Sequence, residues 1–162
     1  MKIITENATD EVTYAIEDDV DVDIRTDCMI VGPSSKPKFR VGFYNSSNVK
    51  LHTGVTLPSD WYGRKYKYNG SEWSANEKYV GFCSAKSAVA SDATTIPLMI
   101  NEGKALRLSV GVAYIVGDAG VNEKITYTGI DGDTLTGVTR GVDSTPIQDI
   151  RPGHTIHEKL PE

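Results

Sequence analysis

Few residues in this sequence stand at spacings that could do chemistry. His154 and His157 could offer two imidazoles to a metal ion. Their surroundings read as a strand, where residues three apart point to opposite faces, so both cannot readily reach one ion. Asp131-Gly132-Asp133-Thr134 spaces its carboxylates as calcium loops do, but the rest of a twelve-residue loop with its terminal Glu is missing. A hairpin turn explains Asp-Gly without a metal. Asp18, Asp19, Asp21 and Asp23 could also attract calcium; the solvated face of a strand is the better explanation. Trp61, Tyr62 and Trp73 form the most aromatic stretch. Such rings serve as a sugar-stacking platform, or as a core or an intersubunit contact. Patterns for an activated serine, a zinc protease or a phosphate-cradling loop are missing. Carboxylate pairs that hydrolyse glycosides are defined by spatial separation, so sequence leaves them open. The expectation is a protein that is not an enzyme and uses no cofactor and no metal. Its candidate interaction surface is Trp61, Tyr62, Trp73, Asp19, Asp21 and Asp23.

The elements that must position these residues are strands. Asp19-Val20-Asp21-Val22-Asp23-Ile24-Arg25 alternates strictly, with Val20, Val22 and Ile24 on one face. Three carboxylates sharing the other face repel each other, which suits an exposed edge. Cys28 to Val31, Lys38 to Tyr44 and Val49 to Val55 follow as strands, divided by Gly/Pro/Ser/Asn loops. Asn69-Gly70 between aromatic residues predicts a hairpin with a type I′ turn. Residues 84–94 are small and polar and read as a linker, or as a short helix over 85–90. Beyond them, Ile96 to Ile100, Leu106 to Val110 and Val112 to Val116 read as strands, with a turn at Gly117 to Gly120. A second hairpin runs from Ile125 to Arg140 about Asp131-Gly132-Asp133, with Gly132 at positive φ. Ile125, Tyr127, Leu135 and Val138 would share its buried face. His154 to His157 reads as an edge strand.

Length and composition bound the rest. The chain has 162 residues, 39% of them hydrophobic and 24% charged, which fits a globular protein and lacks the signature of disorder. A net charge of −5 argues against sequence-independent nucleic-acid binding and against an electrostatic grip on anionic lipid. No apolar run reaches membrane-spanning length, and Met1 to Glu6 turns acidic at once, unlike a signal peptide. Cys28 and Cys83 make no disulfide framework and read as buried small hydrophobes. The expected compartment is a cytoplasm, unless the protein leaves inside a larger particle.

The string from Glu123 to Thr145, EKITYTGIDGDTLTGVTRGVDST, resembles a module common in tailed-bacteriophage virion proteins. The module's pattern is approximately E-x-I-x-Y-T-G-I-x-G-x-x-L-T-G-V-T-R-G-x-D-G-T, then a histidine. The likeness covers about Thr94 to His157. Ser144 stands where the module has Gly, Thr145 to Asp149 replace a small-residue stretch, and His154 is shifted. In the first half, Asn45 to Asn48 and the run from Gly54 to Tyr66 resemble accessory modules of phage structural proteins more loosely. The resemblance implies assembly without catalysis. Expected partners are other virion proteins and copies of the chain itself, with a host surface glycan as a lesser alternative. The expected location is the virion, after synthesis in the host cytoplasm.

These readings combine into an all-β chain of two small antiparallel sandwich or barrel-like domains, 1–83 and 84–162. The expected role is structural: at the neck, tail or fibre attachment, or alternatively as capsid decoration. A carbohydrate-binding adhesin using exposed aromatics is the reading from another class. Met1 to Asp10 and Arg151 to Glu162 hold few apolar residues and are expected to be mobile until neighbouring subunits order them.

Overall fold

The computed structural model describes residues 1–117 and 120–158. It is all-β, built of several small antiparallel sheets with no closed barrel among the described residues. The chain divides into two compact units, 1–77 and 78–162. The division falls before the expected linker. Residues 84–94 lie inside the second unit, where Ala85 bridges Leu98 and Val89 bridges Ile150.

In the first unit, β1 (Lys2–Glu6) is the middle strand of a sheet, between β2 (Val12–Ile16) and β6 (Val49–His52). Ile3 and Ile4 are consecutive, point to opposite faces and are both fully buried. The sheet is therefore covered on both sides. Ile4 meets Met29, Val31 and Val41 from a second sheet, β3 (Val22–Ile24), β4 (Met29–Val31) and β5 (Phe39–Val41). Ile3 meets Val12 and Val55, over which Trp61, Tyr68 and Trp73 pack. Two of those rings come from a hairpin, β7 (Tyr66–Tyr68) with β8 (Trp73–Ala75). The expectation that Met1 to Asp10 has little part in a core is thus overturned: adjacent isoleucines mark a strand buried on two faces, which an alternation test overlooks.

The alternating segment at 19–25 is an edge strand as expected, but shorter. Only Val22–Ile24 pair, against Val31 to Met29, while Asp18 and Asp19 lie in a turn. The Asn69-Gly70 hairpin also forms, though with different turn chemistry. Tyr68 pairs with Trp73, leaving a four-residue loop in which the Asn69 Oδ1 accepts from the backbone N–H groups of Ser71 and Glu72. The asparagine carbonyl organises the loop, and Gly70 alone takes positive φ, at 105°.

The second unit packs two sheets around one core. The larger runs β12 (Asn122–Tyr127), β11 (Gly111–Val116), β15 (Thr155–His157), β9 (Phe82–Ser84). The smaller runs β10 (Thr95–Pro97), β14 (Thr134–Thr136), β13 (Gly129–Asp131). Ile96, Leu98, Ala113, Ile115, Ile125, Tyr127, Leu135, Val138 and Ile156 meet between them. The expected second hairpin splits at Thr128: its first half joins the large sheet and its second half the small one. Asp131 pairs with Thr134 across Gly132, which sits at φ +54°. β15 is an interior strand with Ile156 fully buried, so the expected edge position is also corrected. Leu106 to Val110 form no strand. The Glu158 carboxylate accepts from the N–H groups of Arg107 and Leu108 and holds that backbone out of a ladder. Asp118, Ala119 and 159–162 lie outside the described residues, which leaves part of one expected turn and of one expected mobile end there.

Candidate interaction surfaces

The aromatic residues singled out from sequence are brought together, but largely inward. Trp61, Tyr62 and Trp73 are half-buried. The Trp73 indole donates to the Thr56 carbonyl at 3.1 Å, and its ring crosses Tyr66 at 87° and Tyr68 at 48°. Crossed rings on a core make no flat platform for a sugar face. Beside them the Lys65 ammonium is buried and pairs with Asp60 at 2.8 Å, while the Tyr66 hydroxyl donates to the same carboxylate at 2.7 Å. Burial would raise the Asp60 pKa, but these two donors outweigh it and hold the group below its ordinary value.

Asp19 and Asp21 are exposed, and Asp23 is spent on Arg25 at 2.7 Å. Asp133 accepts the Asn101 and Gly103 N–H groups at 2.8 and 2.9 Å, and these bonds lower its pKa. His157 stacks on Phe82, and the His154 Nδ1 accepts from the Arg151 N–H. Among the described residues no three His, Cys, Asp or Glu side chains gather as metal ligands. Cys28 and Cys83 are free and buried, one in each unit, and burial pushes the Cys83 thiol to about 12.

Sequence reasoning missed the most connected polar site. Glu123 is fully buried on the inward face of β12, in step with Ile125 and Tyr127. Its carboxylate receives the Arg140 guanidinium in a two-pronged pair, 2.5 Å to Oε1 and 2.7 Å to Oε2. It also accepts the N–H groups of Gly141 and Gln148. Arg140 in turn donates to the carbonyls of Ala90 and Gln148. A charge this deep persists only when every donor and acceptor is used. The signal was present, since period two puts Glu123 on the same face as Ile125 and Tyr127, and an unpaired carboxylate there is untenable.

The segment 139–145, an arm that follows β14, closes the outer edge of β12. Thr126 exchanges both backbone hydrogen bonds with Thr139, and the Thr145 hydroxyl accepts from the Lys124 N–H at 2.9 Å. An edge covered in this way resists pairing with stray strands. The arm turns sharply to do so: Gly141, Asp143 and Ser144 all take positive φ, at 64°, 55° and 61°.

Several large apolar side chains point outward on each unit. On the first unit Tyr14, Phe39, Phe43 and Tyr44 form a chain of ring contacts, with Phe43 69% exposed. The Tyr44 hydroxyl donates to Glu6, which also receives Arg64 at 2.6 Å; Arg64 holds Glu11 as well. Burial first, then the Glu6 bond, raises the Tyr44 pKa. Phe43 and Tyr44 border a cleft of about 230 Å³ with Glu6, Ala8 and Asn48. On the second unit Ile100 is 76% exposed, and Leu108, Val110, Val112 and Phe82 also reach solvent. An open groove of about 480 Å³ lies between 91–93 and 138–140, where the Arg140 guanidinium is turned to Glu123.

Comparison with protein-family models, with curated proteins and with solved structures finds no match for the chain. The fold defines the class on its own: an all-β protein of small antiparallel sheets, with several large apolar side chains exposed.

Proposed function

We propose that the chain is a structural, non-enzymatic component of a tailed-phage virion, placed at the neck, tail or fibre attachment and working through symmetric protein contacts. The observation that carries the reading is the distribution of apolar surface. Phe43, Ile100, Phe82, Leu108 and Val110 are large, exposed and set on or beside rigid sheets, which suits surfaces that become buried in an assembly. The resemblance of Glu123 to Thr145 to a virion module supplies the setting. The same string builds a rigid block, clasped by Glu123 and Arg140 and closed along its edge by Thr139 and Thr145. A part that must join neighbours by chosen faces benefits from closing the unchosen ones.

The test is mass spectrometry and antibody labelling of purified particles made from a genome that encodes the chain. Labelling at the neck or tail, at six or twelve copies, is the expected result. Absence from purified particles refutes the reading, and hundreds of copies on the head move it to capsid decoration. The half-buried, crossed rings of Trp61, Tyr62 and Trp73 give the adhesin reading no flat platform at the place first assigned to it.

A further inference from the structure

The large sheet of the second unit buries one face and leaves the other partly exposed. Along its strands Cys83, Ala113, Ile115, Ile125 and Ile156 point inward, so the residues between them point outward. Register places four outward side chains in one row across all four strands: Lys124 beside Tyr114, Tyr114 beside His157, His157 beside Phe82. The His157 and Phe82 rings stack at 5.9 Å and 29°. Val112 lies outward in the next row and Val80 just before β9; Phe82, Val80 and Val112 are 48%, 42% and 37% exposed.

We infer that this outer sheet face is a self-association surface, whose partner is the same face of a second copy related by a two-fold axis parallel to the strands. The order of the row carries the inference. A two-fold axis between β11 and β15 reverses the row upon itself. Tyr114 then faces His157 of the second copy, and Lys124 faces Phe82 of the second copy. Both meetings are favourable: a phenol hydroxyl with an imidazole nitrogen, and an ammonium with an aromatic ring. Each occurs twice. Burial lowers the His157 pKa, so at neutral pH its ring is uncharged and has a nitrogen free to accept. Lys124 is the row's one charged side chain at that pH, and it already pairs with Asp143, so stacking the face on itself sets no like charges against each other. Stacked sheets at about 10 Å spacing interdigitate side chains of this size.

The face is small, so the dimer belongs at the weak end of specific interfaces, with a micromolar dissociation constant. Repetition around a particle would then multiply it. This inference rests on the assembly reading for its setting only, and the two can fail separately. Sedimentation velocity of the full chain from about 1 to 500 μM should show a reversible monomer–dimer equilibrium. Phe82→Glu should weaken it at least tenfold, and Val112→Lys should do the same from the neighbouring row. Phe43→Glu, on the other unit, should leave it unchanged. Unaltered circular dichroism and melting of the variants keep folding out of the comparison. A chain monomeric throughout the range, or a dimer indifferent to both outer-face variants, overturns the inference. So does glycan binding by a monomer that Phe82→Glu abolishes. A monomer that is nonetheless found in purified particles refutes the two-fold face and leaves the virion role standing.

Discussion

Ser144 takes a left-handed backbone at φ +61°, at the position where the resembling module carries glycine. A side chain there costs about 1 kcal/mol. Ser144→Gly should therefore stabilise the second unit and raise its melting temperature by a few degrees; an unchanged or lower value would refute the strain. Glu123→Gln acts in the opposite direction. It leaves the Arg140 guanidinium, 4% exposed, without its counter-charge, and a cost of about 3–5 kcal/mol is expected in chemical denaturation. Two histidines set the pH response. Burial lowers the pKa of both His52 and His157 below 6.5. A histidine that is harder to protonate when folded favours the unfolded chain once protons are available. Stability should be full above about pH 6.5 and fall as pH drops from there toward the folded values. The double variant His52→Gln, His157→Gln should flatten this slope between pH 7 and 5. Losses from Asp60 and Asp133, whose folded values are depressed, come later, below about pH 4.

Among the elements, legibility followed how much of the structure is local. Gly132 at positive φ was readable, because a two-residue turn is specified by its own residues. What holds that turn in place was not. A Cβ on Gly103 would lie 2.0 Å from the Gly132 carbonyl oxygen, a contact between segments 29 residues apart. Gly103→Ala should thus cost more than Gly132→Ala, whose added Cβ meets open space and pays only for φ. If thermal melts rank the two in reverse order, the close approach is not the constraint. Leu106 to Val110 alternates as a strand does, yet Glu158 takes its N–H groups, and no window of local sequence contains both partners. The candidate surface split in the same way. Trp61 and Trp73 were visible as rings, but their crossing angles and their place over Ile3 depend on a sheet formed by distant strands. The outer row Lys124, Tyr114, His157, Phe82 was invisible, since its four members span 76 positions and meet only through register.

For the whole molecule, the all-β class was legible from period two and the frequency of turns, whereas the division at 77/78 was sought in composition and found in contacts. Small polar residues at 84–94 suggest a linker only while Ala85 and Val89 are counted as polar company; both are tied by bridges, and Ala85 is fully buried. The first strand gives a direct check. Amides of Ile3 and Ile4 should be among the slowest to exchange in the isolated protein, before any assembly, and rapid exchange there would restore the expectation of a mobile segment. The interior place of β15 has a consequence for synthesis. Residues 155–157 fill the gap between Tyr114 and Phe82, so the large sheet stays open until the ribosome has made them. At roughly 5–20 residues per second, some seconds separate the emergence of β9 from that of its neighbour. During that interval the inner edges of β9 and β11 are unpaired. A transcript truncated before codon 155 would leave them so permanently, a product whose unpaired strand edges invite proteolysis and stray pairing.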